Sequence, residues 1–80
     1  MLDSSLTPKQ LTILQLLLDG KYLKQVALEL QLTQEDVKVN LFRARQRAGV
    51  ETLYQLVAVS VLRGWCTPPV SLETAGRPRP

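Results

Sequence analysis

Residues 24 to 41, KQVALELQLTQEDVKVNL, constrain the fold of this chain more than any other segment. Apolar residues at helical spacing predict a first helix: Val26, Ala27 and Leu30. The pattern breaks at Gln31-Leu32, and Thr33 can begin a second helix through a reciprocal capping box with Asp36. Two helices joined over about three residues are typical of a helix-turn-helix, although the spacing alone equally allows a plain helical hairpin.

The second of these helices is expected to have one apolar and one polar side. It runs to about Ala48, where Gly49 is a typical terminator. At about 100° per residue, four side chains share the face that should point into the core. They are Val37, Leu41, Ala44 and Ala48. The opposite, mostly basic face should hold Glu35, Lys38, Val39, Arg43, Gln46 and Arg47, with Phe42 and Arg45 at its margin.

Two more capping boxes predict two further helices. The pairs are Thr7 with Gln10 and Thr52 with Gln55. The first of these helices should end at Asp19-Gly20 and the last at about Arg63-Gly64. The sequence therefore predicts an all-α fold, a compact four-helix bundle containing a helix-turn-helix over residues 6–65. A short N-terminal arm, 1–5, and a flexible Pro-rich tail, 66–80, should flank it.

One ordered set of residues runs through this whole region without an internal gap. It comprises Leu6-Thr7-Pro8, Ile13, Leu14, Leu16, Leu17, Gly20, Val26-Ala27, Leu30, Val37-Lys38, Leu41, Arg47, Gly49-Val50, Thr52, Gln55, Ala58 and Gly64. The set resembles the LuxR/NarL-type DNA-binding domain of bacterial transcription regulators. Region 4 of sigma factors shares the opening Leu-Thr-Pro and the helix-turn-helix, but nothing in it requires the Gly-Val pair and the fourth helix.

The resemblance implies a homodimer that binds double-stranded DNA with helix 3, about 33–48, in the major groove. Family members meet base edges at the positions of Lys38 and Val39. Candidate phosphate contacts are Lys24, Thr33, Arg43, Arg45 and Arg47. Fourth helices in the family pair across a two-fold axis, and helix 4 here, LYQLVAVSVL, is apolar on almost every side. The expected dimer contacts are Leu56, Val57, Val59 and Ser60.

Departures from the family pattern keep a second hypothesis open. Tyr22-Leu23 replace Ser-Asn, which leaves the helix that contains Val26, Ala27 and Leu30, the second of the four, without a good cap. Asp36 replaces a threonine that often touches a phosphate, and Asn40 replaces a histidine. Acidic residues at that end of helix 3 suggest a protein-interaction adaptor with the same fold. Such an adaptor would bind RNA polymerase or another regulator and no longer read DNA.

The positions of the charged residues say more about nucleic-acid binding than the net charge does. Ten basic and seven acidic residues give a net charge of +3, which permits nucleic-acid binding without requiring it. Four cations lie within ten residues that contain no acid: Lys38, Arg43, Arg45 and Arg47. A solvated charged face usually explains such a run, but here it coincides with the helix expected to be presented. This favours contacts with phosphates.

Composition argues against an enzyme. The chain has no histidine, the commonest general base. Its one cysteine, Cys66, suggests a reducing cytosol, and we expect it to be a small packing residue after a helix end. No glycine-rich phosphate loop occurs, and we expect no metal site, cofactor or small-molecule substrate. The apolar stretches at 13–18 and 56–62 fall well short of the ~20 residues that span a bilayer, and no signal peptide precedes them. We therefore expect a cytoplasmic protein without a membrane partner.

Overall fold

The computed structural model describes residues 6–68, which form four α-helices and no strand. The helices are α1 Pro8–Leu18, α2 Leu23–Leu30, α3 Gln34–Ala48 and α4 Leu53–Leu62. This confirms the predicted all-α architecture and the positions of the four helices. The predicted N-terminal arm and most of the predicted tail, residues 69–80, lie outside the described residues.

Three of the four helices begin with the predicted capping box. The threonine hydroxyl accepts a hydrogen bond from the amide of the third helical residue, at 3.2 Å for Thr7, 3.0 Å for Thr33 and 3.1 Å for Thr52. The reciprocal bond is 3.0 Å to Gln10, 3.4 Å to Asp36 and 3.0 Å to Gln55. The expected weakness of helix 2 is also present, because Tyr22 provides no side-chain cap. Gln25 nevertheless accepts from the Tyr22 amide at 2.8 Å.

All four helices end with the same hydrogen-bond pattern. A residue with a left-handed backbone follows the last turn, and the next amide donates five residues back, as in a Schellman motif. The left-handed residues are Gly20, Gln31, Gly49 and Gly64. The long-range bonds of the motif measure 2.7–3.1 Å: Lys21 to Leu16, Leu32 to Ala27, Val50 to Arg45 and Trp65 to Ser60. Gln31 differs from the other three because it is not a glycine, although its backbone has the left-handed conformation that favours glycine.

The third helix lies at the centre of the packing and contacts each of the other three, whereas α2 and α4 do not touch each other. Its buried side chains are Val37, Leu41 and Ala44, and Ala48 is partly buried. They pack in a core with Ile13 and Leu14 of α1, Val26 and Ala27 of α2, and Leu56 of α4. The predicted core stripe of helix 3 is thereby confirmed, and the opposite side of α3 is left at the surface.

The chain after α4 folds back onto α1. The side-chain amide of Gln15 donates to the Thr67 carbonyl at 2.8 Å and accepts from the Thr67 amide at 3.0 Å. Cys66 is buried beside Leu11, and this burial raises the pKa of its thiol. Residues 66 and 67, which sequence analysis assigned to a tail, are therefore packed against α1. None of the four helices has the length and apolar character needed to cross a membrane.

Candidate nucleic-acid interface

The turn between α2 and α3 fixes how α3 leaves the core. It comprises three residues, 31–33, and Gln31 has φ 58° and ψ 43°. The Leu32 amide donates to Ala27 at 2.9 Å, so the chain reverses directly after α2. Leu32 is half-buried and Val37 is buried, at the two positions of a hydrophobic staple. A short, hydrogen-bonded turn with apolar anchors on both sides gives the two helices a defined relative orientation.

The side of α3 that faces away from the core presents one continuous row of side chains. Glu35, Val39, Phe42 and Gln46 form this row, which we call the outward ridge. All four are exposed; Val39 is 39% and Phe42 50% exposed. Helical spacing places Lys38 and Arg43, both exposed, on opposite sides of the ridge. The helix therefore displays an apolar centre between two cations over its middle turns.

Charge is distributed unevenly along α3. Glu35 and Asp36 lie in its first turn, whereas Arg45 and Arg47 lie in its last turn. This arrangement complements the helix dipole at both ends. Asp36 completes the cap of Thr33, and its carbonyl accepts a hydrogen bond from the Asn40 side chain at 2.8 Å. The N-terminal end of α3 is thus acidic and its C-terminal half is basic.

Arg45 is partly buried and has partners within the protein. Its Nη1 donates to the Glu51 carbonyl at 2.6 Å, and its guanidinium lies 5.4 Å from the centre of the Phe42 ring. The Glu51 amide in turn donates to the Gln55 side chain at 2.9 Å. Arg45 therefore links α3 to the loop before α4 and also holds the Phe42 ring.

An open groove of about 390 Å³ runs between α3 and the start of α4. Its lining residues are Lys38, Leu41, Phe42, Arg45 and Leu53. Three of these side chains are apolar, and two are cations. The groove adjoins the outward ridge through Phe42, so the apolar surface of α3 continues toward α4.

On α2, Lys24 is an exposed cation near the helix start. The neighbouring Lys21 is paired with Glu29 at 2.7 Å, and this hydrogen bond raises the pKa of the lysine. Tyr22 and Leu28 are also exposed, at 77% and 70%. Lys24 is therefore better placed than Lys21 to contact a polyanion from this helix.

The predicted dimer contacts on α4 need a correction. Leu56 and Ser60 are fully buried in the monomer, and the Ser60 hydroxyl donates to the Val57 carbonyl at 2.7 Å. Neither side chain can meet a second copy without opening the core, so assigning these two to the interface was wrong. Val57 and Val59 are only half-buried. The outward face of α4 is formed by Tyr54, Ala58 and Leu62, of which Tyr54 is 87% and Leu62 84% exposed.

The remaining predicted site residues lie mostly at the surface. Lys38, Val39, Arg43 and Arg47 are exposed on α3, as are Thr33 at its cap and Lys24 on α2. Sequence analysis missed the anchoring role of Arg45 and placed Phe42 only at the margin of the polar face. It also missed Tyr54 and Leu62, although their spacing with Ala58 is that of one helix face. Between residues 6 and 68, no His, Cys, Asp and Glu side chains group as metal ligands do.

Three helices pack around a central α3, and α3 follows α2 after a three-residue turn and exposes its outer side, which defines a helix-turn-helix domain. Residues 4–60 match the family described as bacterial regulatory proteins, luxR family, and the chain belongs to that family. It is also similar to the uncharacterized response regulatory protein YgeK of Escherichia coli K12, with 32% identity over 65 residues. The match covers 81% of this chain and 44% of that relative, so the chain spans less than half of the relative's length.

Proposed function

We propose that this chain is a DNA-binding transcription regulator, or the DNA-binding part of one, that acts as a dimer. The luxR family consists of bacterial regulatory proteins, and the E. coli relative is named a response regulatory protein. The observation on which the proposal rests is the surface of α3, which is exposed opposite its core stripe. In the proposed complex, α3 enters the major groove and α2 lies across the backbone.

The chemistry of the exposed residues supports separate roles in this complex. Lys38 and Val39 reach base edges, where an ammonium can donate to guanine acceptors and a valine can contact a thymine methyl group. Arg43 and Arg47, with Lys24 and Thr33 from α2 and the cap, contact phosphates and set the orientation. Arg45 can add a phosphate contact through the guanidinium N–H groups that Glu51 leaves available.

The proposal is tested by selecting bound sequences from random duplex DNA at several stated salt concentrations. We expect a recovered palindrome whose half-sites lie about one helical turn apart. Affinity for it should fall steeply with salt, because each neutralised phosphate releases counterions. No enrichment at low salt would refute DNA reading by this domain.

Single substitutions separate the two kinds of contact. Lys38→Ala should weaken the selected site by about 1–3 kcal/mol and leave random duplexes unaffected. Arg43→Ala and Arg47→Ala should weaken all duplexes alike and reduce the salt slope by about one unit each. Lys9→Ala is the matched control, because it removes one exposed cation from α1 instead. If Lys9→Ala reduced the salt slope as much as Arg43→Ala, net charge and not α3 would account for the affinity.

We infer that dimerisation uses the outward face of α4. Tyr54, Ala58 and Leu62 present an apolar surface to water, with Val57 and Val59 half-buried at its sides. A second copy across a two-fold axis covers this surface with the same residues. A carboxylate placed there would be buried without a partner, which costs several kcal/mol.

Leu62→Glu and Val59→Glu should therefore give folded monomers in sedimentation experiments. Leu28→Glu is the control, because it makes the same substitution at an exposed leucine of α2. A wild-type chain that is monomeric at high concentration would overturn the dimer. The assignment of the interface to α4 would also be overturned if Leu28→Glu dissociated the dimer and Leu62→Glu did not.

The acidic start of α3 favours a second candidate, an adaptor that binds RNA polymerase or another regulator. Glu35 and Asp36 are both exposed at the helix end where a DNA phosphate would lie, and their carboxylates would repel it. In a DNA reader, Asp36→Thr should tighten binding to every duplex. If Asp36→Thr, Lys38→Ala and Arg47→Ala all leave duplex affinity unchanged, the adaptor replaces the regulator as the better hypothesis.

A further inference from the structure

Two apolar side chains, Val39 and Phe42, occupy the middle of the outward ridge of α3. Both are substantially exposed on a helix whose other outward residues are charged or polar. They stand three residues apart, so they are neighbours on one face and separated by about 4.5 Å along the helix axis. Lys38 and Arg43 flank them. The most apolar part of the ridge is thus also the part between two cations.

Contacts within the protein hold the Phe42 ring in place. The Arg45 guanidinium lies 5.4 Å from the ring centre and is itself bonded to the Glu51 carbonyl at 2.6 Å. Leu41 and Leu53 line the same groove as the Phe42 ring. An exposed aromatic ring that is fixed in this way loses little conformational freedom when a ligand covers it. Phe42 is therefore preorganised for a contact on its outer face.

The major groove of DNA offers a matching apolar group. Its base edges present hydrogen-bond donors and acceptors, and thymine adds a 5-methyl group. We propose that Phe42 is a specificity-determining residue that packs, together with Val39, on the 5-methyl group of a thymine in each half-site. This inference rests on the proposed function, because it requires α3 to lie in the major groove. The flanking cations suit this ligand, since the phosphates run along both sides of that groove.

The test removes only the methyl group from the DNA. The probe is the duplex most enriched by the wild-type chain, with each thymine replaced in turn by uracil, which keeps the same hydrogen-bonding edge. At one position per half-site, uracil should weaken wild-type binding about three- to tenfold. Phe42→Ala should weaken binding to the thymine duplex and reduce the difference between thymine and uracil at that position to the part that Val39 contributes, below that of Phe42→Leu. Phe42→Leu should retain part of the difference.

Arg43→Ala provides the matched control on the same helix. It should weaken both duplexes equally and leave the ratio between thymine and uracil as in the wild type. If no uracil position affects affinity, or if Phe42→Ala preserves the ratio, methyl recognition by Phe42 is wrong while the regulator stands. If the wild-type chain enriches no duplex at all, the proposed function fails and this inference fails with it. Circular dichroism of each variant establishes that it is folded before binding is compared.

Discussion

Replacing Arg45 with alanine tests whether this residue anchors the loop between α3 and α4. The change removes the hydrogen bond to the Glu51 carbonyl, which is worth about 0.5–1.5 kcal/mol at a partly exposed site. It also removes the interaction with the Phe42 ring, which adds about 0.5 kcal/mol. We therefore expect Arg45→Ala to lower the free energy of unfolding by about 1–2 kcal/mol.

Arg43→Ala is the control for this measurement. It removes the same charge and makes the same change in helix propensity on α3, but from an exposed side chain. Its cost should stay below about 0.5 kcal/mol, as is usual for surface substitutions. Urea denaturation followed by circular dichroism gives both values, and a loss of 1 kcal/mol lowers the melting temperature by roughly 4–8 °C at this size.

Two results would refute the reasoning about Arg45. The first is equal stability of Arg45→Ala and Arg43→Ala within about 0.3 kcal/mol, which would mean that the bond to Glu51 has no net worth. The second is full stability of Arg45→Lys, because a lysine keeps the charge but lacks the planar guanidinium that spans the ring and the carbonyl. An intermediate loss in Arg45→Lys is expected.

Four further outcomes follow from the fold. Leu41→Ala should cost about 2–5 kcal/mol in urea denaturation, because its side chain is buried in the core; a milder loss than at Arg43 would contradict the helical phase of α3. Thr33→Ala should lower the free energy of unfolding by about 0.5–2 kcal/mol, and Thr33→Ser should lose much less, since serine can also cap the helix. Gln31→Gly should raise stability by up to about 1 kcal/mol, whereas Gly49→Ala should lower it by about 1 kcal/mol; opposite signs are the check on the two left-handed residues. Native Cys66 should react with a thiol reagent far more slowly than the urea-unfolded chain, because it is buried and burial raises its thiol pKa; equal rates would contradict packing of this segment on α1.

Local rules explain what the sequence predicted well. A capping box involves residues three positions apart, so Thr33 and Asp36 are sufficient to place the start of α3. The core stripe of α3 stands out because its apolar residues alternate with charges at helical spacing. Gly49 marks the end of α3 because glycine adopts the left-handed conformation readily.

Features that depend on tertiary packing were not predictable in the same way. Helix 4 is apolar on almost every side, so periodicity could not distinguish buried Leu56 and Ser60 from exposed Leu62. The link from Arg45 to Glu51 depends on the path of a loop, and no local pattern signals it. Gln31 gave no glycine signal for its left-handed turn. The role of Phe42 depends on its contacts with Arg45 and with the groove next to α4, which only the fold brings together.

Both backbone polar groups of Glu51 are hydrogen-bonded: its carbonyl accepts from Arg45, and its amide donates to the Gln55 side chain. These bonds join the end of α3 to the first turn of α4 through a loop of four residues, 49–52. In a dimer paired through α4, this link would fix both the distance and the rotation between the two copies of α3. Such a dimer selects operators by the number of base pairs between half-sites as well as by their sequence. Removing the hydrogen bonds at Glu51 should let the same dimer accept operators with one base pair inserted or removed between the half-sites.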